Sequence, residues 1–293
     1  MHLFPTLRNY KKENLGKDIL AGLIIMAVSI PISMGYAQIA GLPAVYGLYG
    51  SVLPILFFAV FSTSPQFIFG VDAAPAALVG SALLSMGIES GSKEAMRAVP
   101  VLTLFVALWL FAFSYMKAGK LVNYISAPVM GGFITGICTT IILMQIPKLF
   151  GGSAGVGDFF ELAVHIGESL EKLNLPSLLL GLFALFILLL SKKLIPKFPM
   201  AVLLMAAGAC MTKFLPLKKW GVVTLSAVDP GLMPFALPDL SVIPVREAVT
   251  ISLSVAIVIM AETLLAENSF AQKNGYRIND NQEIFAFAMG NLI

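Results

Sequence analysis

Between Asp18 and Asp72 the chain runs 53 residues without one charged side chain. A water-soluble core has no use for such a stretch, but a lipid bilayer does. In hydrocarbon a charge at mid-helix costs roughly 2.5–3.5 kcal/mol on insertion scales. The run is not a smooth helical sequence, however. Pro31, Gly35, Gly41, Pro43, Gly47, Gly50 and Pro54 interrupt it. Irregular backbone at membrane depth survives only where it is packed in protein or lines a cavity. An uncharged but broken membrane segment is therefore a candidate wall of a binding site, and transporters use such discontinuous helices.

The rest of the composition agrees. Hydrophobic residues make up 58% of the chain, charged residues 12%, and mean hydropathy is +0.90. Soluble domains carry about 25% charged residues, so this is a polytopic membrane protein with the lipid bilayer as its solvent. A net charge of +3 is too small to point to nucleic acid. Cys138 and Cys210 lie in apolar segments and read as packing residues rather than a disulfide or metal pair. His2 and His165 form no ligand cluster, and no cofactor is expected.

A span needs about 20 apolar residues, fewer where half-helices meet inside the membrane. The sequence gives eight, over 18–37, 46–62, 73–88, 97–116, 126–147, 175–192, 199–215 and 246–270, and a ninth opens near Asn281. The third is too short to cross alone. Residues 66–71 before it, rich in Phe and Ile, are expected to form a short strand leading into it. Residues 221–238, β-prone and then turn-forming, read the same way. The connector over 150–174 looks like a surface amphipathic stretch. With the N-terminus inside, 11 of the 19 Lys and Arg fall on the cytoplasmic side, with Arg8, Lys11, Lys12 and Lys17 next to the first span.

The first run also carries a specific pattern. Asp18, Ala21, Gly22, Ile30, Pro31, Met34, Tyr36, Ala37, Ala40-Gly41-Leu42-Pro43 and Tyr46-Gly47-Leu48-Tyr49 resemble the signature of the sulfate permease (SulP) family. Residues 128–151, the GLMPFALP stretch and 269–291 extend the resemblance over nearly the whole chain. It implies an all-α membrane fold, the first half of a 7+7 inverted-repeat transporter shared with nucleobase permeases. In such a fold spans 1–4 and 8–11 form a core that moves against a gate. The anion sits where half-helices 3 and 10 point their N-termini at each other. Each helix N-terminus offers unpaired N–H groups and roughly half a positive charge, so two facing ends make an anion site without a buried lysine.

In this chain the third span begins Gly70-Val71-Asp72-Ala73-Ala74-Pro75. The small side chains of Ala73 and Ala74 leave backbone N–H groups open to an anion. Asp72 reads either as a helix N-cap or as a group that binds substrate or a coupling cation. Ile32 and Tyr36 match positions that face the site in the family and lie four residues apart, on one helical face. Tyr36 is either a wall with a hydroxyl or simple packing. Glu262 follows the uncharged apolar stretch 248–261, and an ionisable group at that depth is functional by default. It matches the family's acidic position associated with proton or sodium coupling, against the alternative of a structural carboxylate. Glu267 is expected to be a solvated residue at the helix end. Asn281-Gln282-Glu283 is expected to cap and pack the start of span 9 and to bind no ligand.

The resemblance therefore implies secondary transport of a small anion (sulfate, bicarbonate or a dicarboxylate), coupled to H+ or Na+. The alternatives are an anion channel or non-transporting membrane module, and a nucleobase permease of the same architecture. An enzyme is disfavoured, because no nucleophile–base pair or metal cluster is present. Residues 1–17 are expected to be cytoplasmic and 18–293 transmembrane in the cell membrane. The chain is read as a fragment that stops before span 10 and lacks the cytoplasmic STAS domain of many relatives. The resemblance also allows a homodimer of the full-length protein.

Overall fold

The computed structural model describes residues 3–7, 10–122, 124, 127–155, 159–195, 200–224 and 237–293. Twelve α-helices are found among them: α1 (Leu15–Ile39), α2 (Val45–Gly50), α3 (Leu53–Phe61), α4 (Ala73–Ser85), α5 (Lys93–Tyr115), α6 (Gly119–Val122), α7 (Ala127–Leu149), α8 (Phe159–Glu171), α9 (Leu175–Leu194), α10 (Met200–Phe214), α11 (Val245–Asn274) and α12 (Asp280–Leu292). By length and apolarity, four helical stretches suffice to cross a bilayer: Lys12–Ile39, Lys93–Tyr115, Leu175–Leu194 and Val245–Asn274. α4 and α10 are shorter apolar helices.

The chain divides into two compact units. One comprises Met1–Asn14, Ser33–Ile137 and Leu232–Ile293; the other comprises Leu15–Ile32 and Cys138–Gly231. The first division falls one residue after Pro31, inside α1. Proline has no N–H to donate, so the carbonyl of Ala27 loses its helical partner there.

In the first unit α5 packs along α11 and α12, and α12 also packs on α3. The buried face of α5 is Ala95, Ala98, Val101, Leu102, Val106, Ala107 and Leu110, an i, i+3, i+4 stripe of mostly small residues. The helices packed on it bury Ala248, Val255, Ala256 and Leu264 in α11, and Ile284, Ala286 and Ala288 in α12. Lipid tails are as apolar as leucine, so transfer from water does not drive this contact. Close approach of backbones over small side chains does. The N–H of Trp109 donates to the carbonyl of Val249 at 3.2 Å, and the hydroxyl of Ser114 donates to the carbonyl of Asn281 at 2.7 Å.

The helix starts follow from their capping residues. The Ser92 hydroxyl accepts from the N–H of Ala95 at 3.0 Å to begin α5. The Asn279 side chain accepts from the N–H of Gln282 at 3.2 Å to begin α12. α11 stops at Gly275, whose φ of +73° suits a residue without Cβ.

In the second unit Asn174 organises the approach to α9. Its Oδ1 caps the N–H of Ser177 at 2.9 Å, and its amide donates to the carbonyl of Trp220 at 2.9 Å. α9 leaves Leu179, Phe183, Phe186 and Leu189 exposed along one side. In water such a stripe would be an aggregation liability; in a bilayer it is a lipid-facing surface. Within the amphipathic stretch expected over 150–174 lies helix α8, with Leu162 buried and Phe159 and Phe160 exposed. Cys138 and Cys210 are exposed and unpaired.

Three expectations are corrected here. The span over 46–62 is broken into α2 and α3 at Ser51–Val52, just ahead of Pro54, which starts α3. Residues 66–71 form no strand. Instead Phe69 stacks on Phe58 and Phe287, with ring centroids 5.2 and 5.7 Å away, so its apolar side chain is satisfied by helices rather than by a neighbouring strand. The third concerns Glu267, which is fully buried rather than solvated. The strand expected over 221–238 falls mostly on 225–236, outside the described residues.

Candidate functional site

The residues singled out for the site come from three separate stretches of the first unit. α1 supplies Tyr36, α4 supplies Asp72, Ala73 and Ala74 at its start, and α11 supplies Glu262. Asp72, Tyr36 and Glu262 lie near enough for their charges to act on one another. Tyr36 and Glu262 are each partly exposed, and Asp72 is half-buried. Ile32 belongs to the other unit. It is 44% exposed and is the last residue that α1 gives to the second unit.

Two glycines position Tyr36 against α4. A Cβ on Gly80 of α4 would lie 2.1 Å from the carbonyl oxygen of Ile39, and one on Gly47 of α2 would lie 2.0 Å from that of Ser33. Both helices therefore touch the backbone of α1 on either side of Tyr36, a distance only glycine permits.

At the mouth of α4, Asp72 is extended (φ −122°, ψ 151°) and its Oδ1 accepts from the N–H of Ala73 at 2.6 Å. Asp72 is thus the N-cap of α4. Ala73 is 1% exposed, so its N–H is taken and shielded. Pro75 has no N–H to offer. The N–H of Ala76 returns to the carbonyl of Asp72 at 3.2 Å. Among the described residues, Ala74 is left with the open N–H of this first turn. On α11, Oε2 of Glu262 is buried without a hydrogen-bond partner among the described residues. A positive helix end, an open amide, a tyrosine hydroxyl and an unpartnered carboxyl oxygen are groups chemically suited to a small polar ion rather than to an apolar ligand.

The cap gives a direct test. Asp72→Ala should lower the thermal stability of the purified protein by the equivalent of about 0.5–2 kcal/mol, while Asp72→Asn should restore most of it. Equal unfolding temperatures for the two variants would show that the side-chain oxygen does not hold α4.

Sequence reasoning missed a second polar cluster behind the site. Glu283 of α12 accepts from the Ser62 hydroxyl at 2.8 Å, from the N–H of Thr63 at 2.5 Å and from the Thr63 hydroxyl. Gln282 donates to the carbonyl of Phe61 at 2.8 Å, and Asn281 accepts from the N–H of Gly119 at 3.2 Å. The cap of α12 is Asn279 rather than the three residues expected to cap and pack it, whose packing role stands as a clamp on α3, α6 and the linker into α4. Their unbroken run of polar side chains ahead of an apolar helix was the available signal.

The sulfate permease family model matches residues 15–293. The chain belongs to that family. Its members are transporters rather than enzymes. A probable sulfate transporter of Mycobacterium tuberculosis is 27% identical over 285 residues, covering 97% of this chain and 51% of the relative. The chain spans about half the length of the curated relatives it matches. Among solved structures, that of SLC26A9 superposes with a TM-score of 0.85 at 24% identity, covering 98% of this chain and 48% of that one. The transmembrane domain of a cyanobacterium bicarbonate transporter, BicA, superposes with a TM-score of 0.76 at 18% identity, covering 97% and 72%. These likenesses establish the all-helical membrane fold, and this is a multi-pass membrane protein.

Proposed function

We propose that this family member takes part in secondary active transport of a small anion, sulfate or bicarbonate in class, coupled to protons or sodium. The observation that carries the reading is the meeting of Asp72, Tyr36 and Glu262 at the first turn of α4, where the N–H of Ala74 is open and a Glu262 oxygen is unpartnered. The anion is held by the open amide of Ala74 and by the Tyr36 hydroxyl. Two carboxylates beside it would repel it, so the site takes up an anion together with a cation that balances Glu262. That pairing of charges is what coupling requires, and it makes Glu262 the coupling residue. The relatives' names and the fold they share support the anion as cargo. The N-terminal cations favour a cytoplasmic N-terminus in the cell membrane.

The test is uptake of labelled sulfate and bicarbonate by the full-length transporter in liposomes, with pH or sodium gradients applied. Glu262→Gln should abolish the dependence on the driving gradient and cut coupled uptake at least tenfold. Unchanged gradient dependence would refute the coupling role, and anion current without any gradient dependence would favour a channel.

A further inference from the structure

Five residues beyond Glu262 on α11, about 7.5 Å along the axis, Glu267 presents a different problem. It is 0% exposed, and neither of its carboxyl oxygens receives a hydrogen bond from any N–H or O–H group among the described residues. Among the described residues, the carboxyl of Glu283, itself an acceptor, is within hydrogen-bonding reach. Two acceptors face each other in a dry interior. A hydrogen bond can exist between them only if one carries a proton, and two charges held there without one would be strongly unfavourable.

The rest of the surroundings decides which one carries it. Glu283 already collects three donors from Ser62 and Thr63, the environment of an ionised carboxylate. Asp280 of α12, the other charged group that reaches Glu267, takes a hydrogen bond from the Asn268 amide at 3.1 Å. Among the described residues no cation is seen to act on Glu267, and Lys117 and Arg277, beside α6 and α12, are exposed. Lys120 of α6 is exposed, Lys93, Glu94 and Arg97 lie at the opposite end of α5, and α4 has only Asp72 at its start. Lys273 on α11 itself is also exposed.

We propose that Glu267 and Glu283 form a proton-binding site, with the proton on Glu267 and donated to the Glu283 carboxylate. The site is separate from Glu262. It also has a mechanical consequence. Glu283 holds Ser62 and Thr63, the first residues of the linker that runs to Asp72 and α4. Removing the proton sets two negative charges face to face and loosens that clamp, so the pair is a proton-sensitive latch on the approach to the half-helix.

The latch goes beyond the transport reading, and its test needs no transport. Infrared spectra of the purified full-length protein in detergent are recorded against pH. The Glu262→Gln protein, which retains the pair, should still show a protonated-carboxyl C=O band near neutral pH. Adding Glu267→Gln, whose amide can donate to Glu283 in place of the proton, should remove that band and leave folding intact. Adding Glu267→Met, neutral and of similar size, should remove it as well. A band unchanged by either substitution overturns the proposal. So does failure of both neutral replacements to yield folded protein, because a neutral carboxyl should tolerate them. Loss of the band on adding sodium at fixed pH would also overturn it, by assigning the site to a metal cation.

Discussion

Gly80→Ala should leave little or no folded protein. The new Cβ would sit 2.1 Å from the carbonyl oxygen of Ile39, well inside the 3.0 Å that real Cβ contacts respect. The obstacle is backbone, so no rotamer change relieves it, and α4 must move away from α1 by about an ångström. α4 also packs on α11, and the linker leading into it is held against α3 and α12 by the Phe58, Phe69 and Phe287 stack, which opposes that shift. Overpacking of this kind typically destabilises by about 1–3 kcal/mol, and more where the clash is with main chain. Gly208→Ala in α10 is the matched control. Nothing lies within 4 Å of its Cβ, and alanine there should stabilise the helix by roughly 0.5–1 kcal/mol. Size-exclusion profiles and unfolding temperatures in detergent read both. Gly80→Ala protein with a monodisperse profile and an unchanged unfolding temperature would show that the two helices do not touch.

That glycine lies outside the motif that drew attention to the first span, and the reason bears on what a sequence discloses. Helix existence in a membrane protein depends on the length and apolarity of a local window, so the starts of α4, α9 and α12 were legible to within a residue or two. Capping was legible at Asp72, because an extended acidic residue ahead of small helix formers is a local signal. The linker over 66–71 was not. Its Phe and Ile residues have strand composition, but a strand also needs a partner, and Phe69 finds helices α3 and α12 instead. Glu267 failed for the same kind of reason. Helical spacing gives its angle from Glu262, but burial depends on α12, which is set by residues further along the chain. The meeting of Tyr36, Asp72 and Glu262 joins segments far apart in sequence, and no periodicity in any one of them encodes it. Only the resemblance to a family put all three on one list of candidates.

Glu283→Ala should be the most damaging substitution of a single polar side chain in the first unit. Truncation removes the acceptor for the Ser62 hydroxyl, the Thr63 N–H and the Thr63 hydroxyl at once. Each buried donor left unsatisfied costs about 1–3 kcal/mol, and the deleted side chain leaves a cavity besides. The Thr63 hydroxyl still accepts from the N–H of Asn279 at 3.0 Å, and Gln282 still grips Phe61, so the losses are not additive. Even so, the sum reaches the range above about 4 kcal/mol that single substitutions seldom exceed. Glu283→Gln keeps one acceptor oxygen but turns an N–H toward groups that are themselves donors, so it should fall between wild type and alanine. Unfolding temperatures would order the three, and limited proteolysis would locate the damage, with new cleavage between Ser62 and Asp72 expected in the alanine variant. An alanine variant as stable as the wild type, with that linker still protected, would mean that the Phe58, Phe69 and Phe287 stack alone holds it. Cleavage there with the helical core intact would show that the clamp on Ser62 and Thr63 fixes where α4 begins, and with it the position of the Ala74 amide at the site.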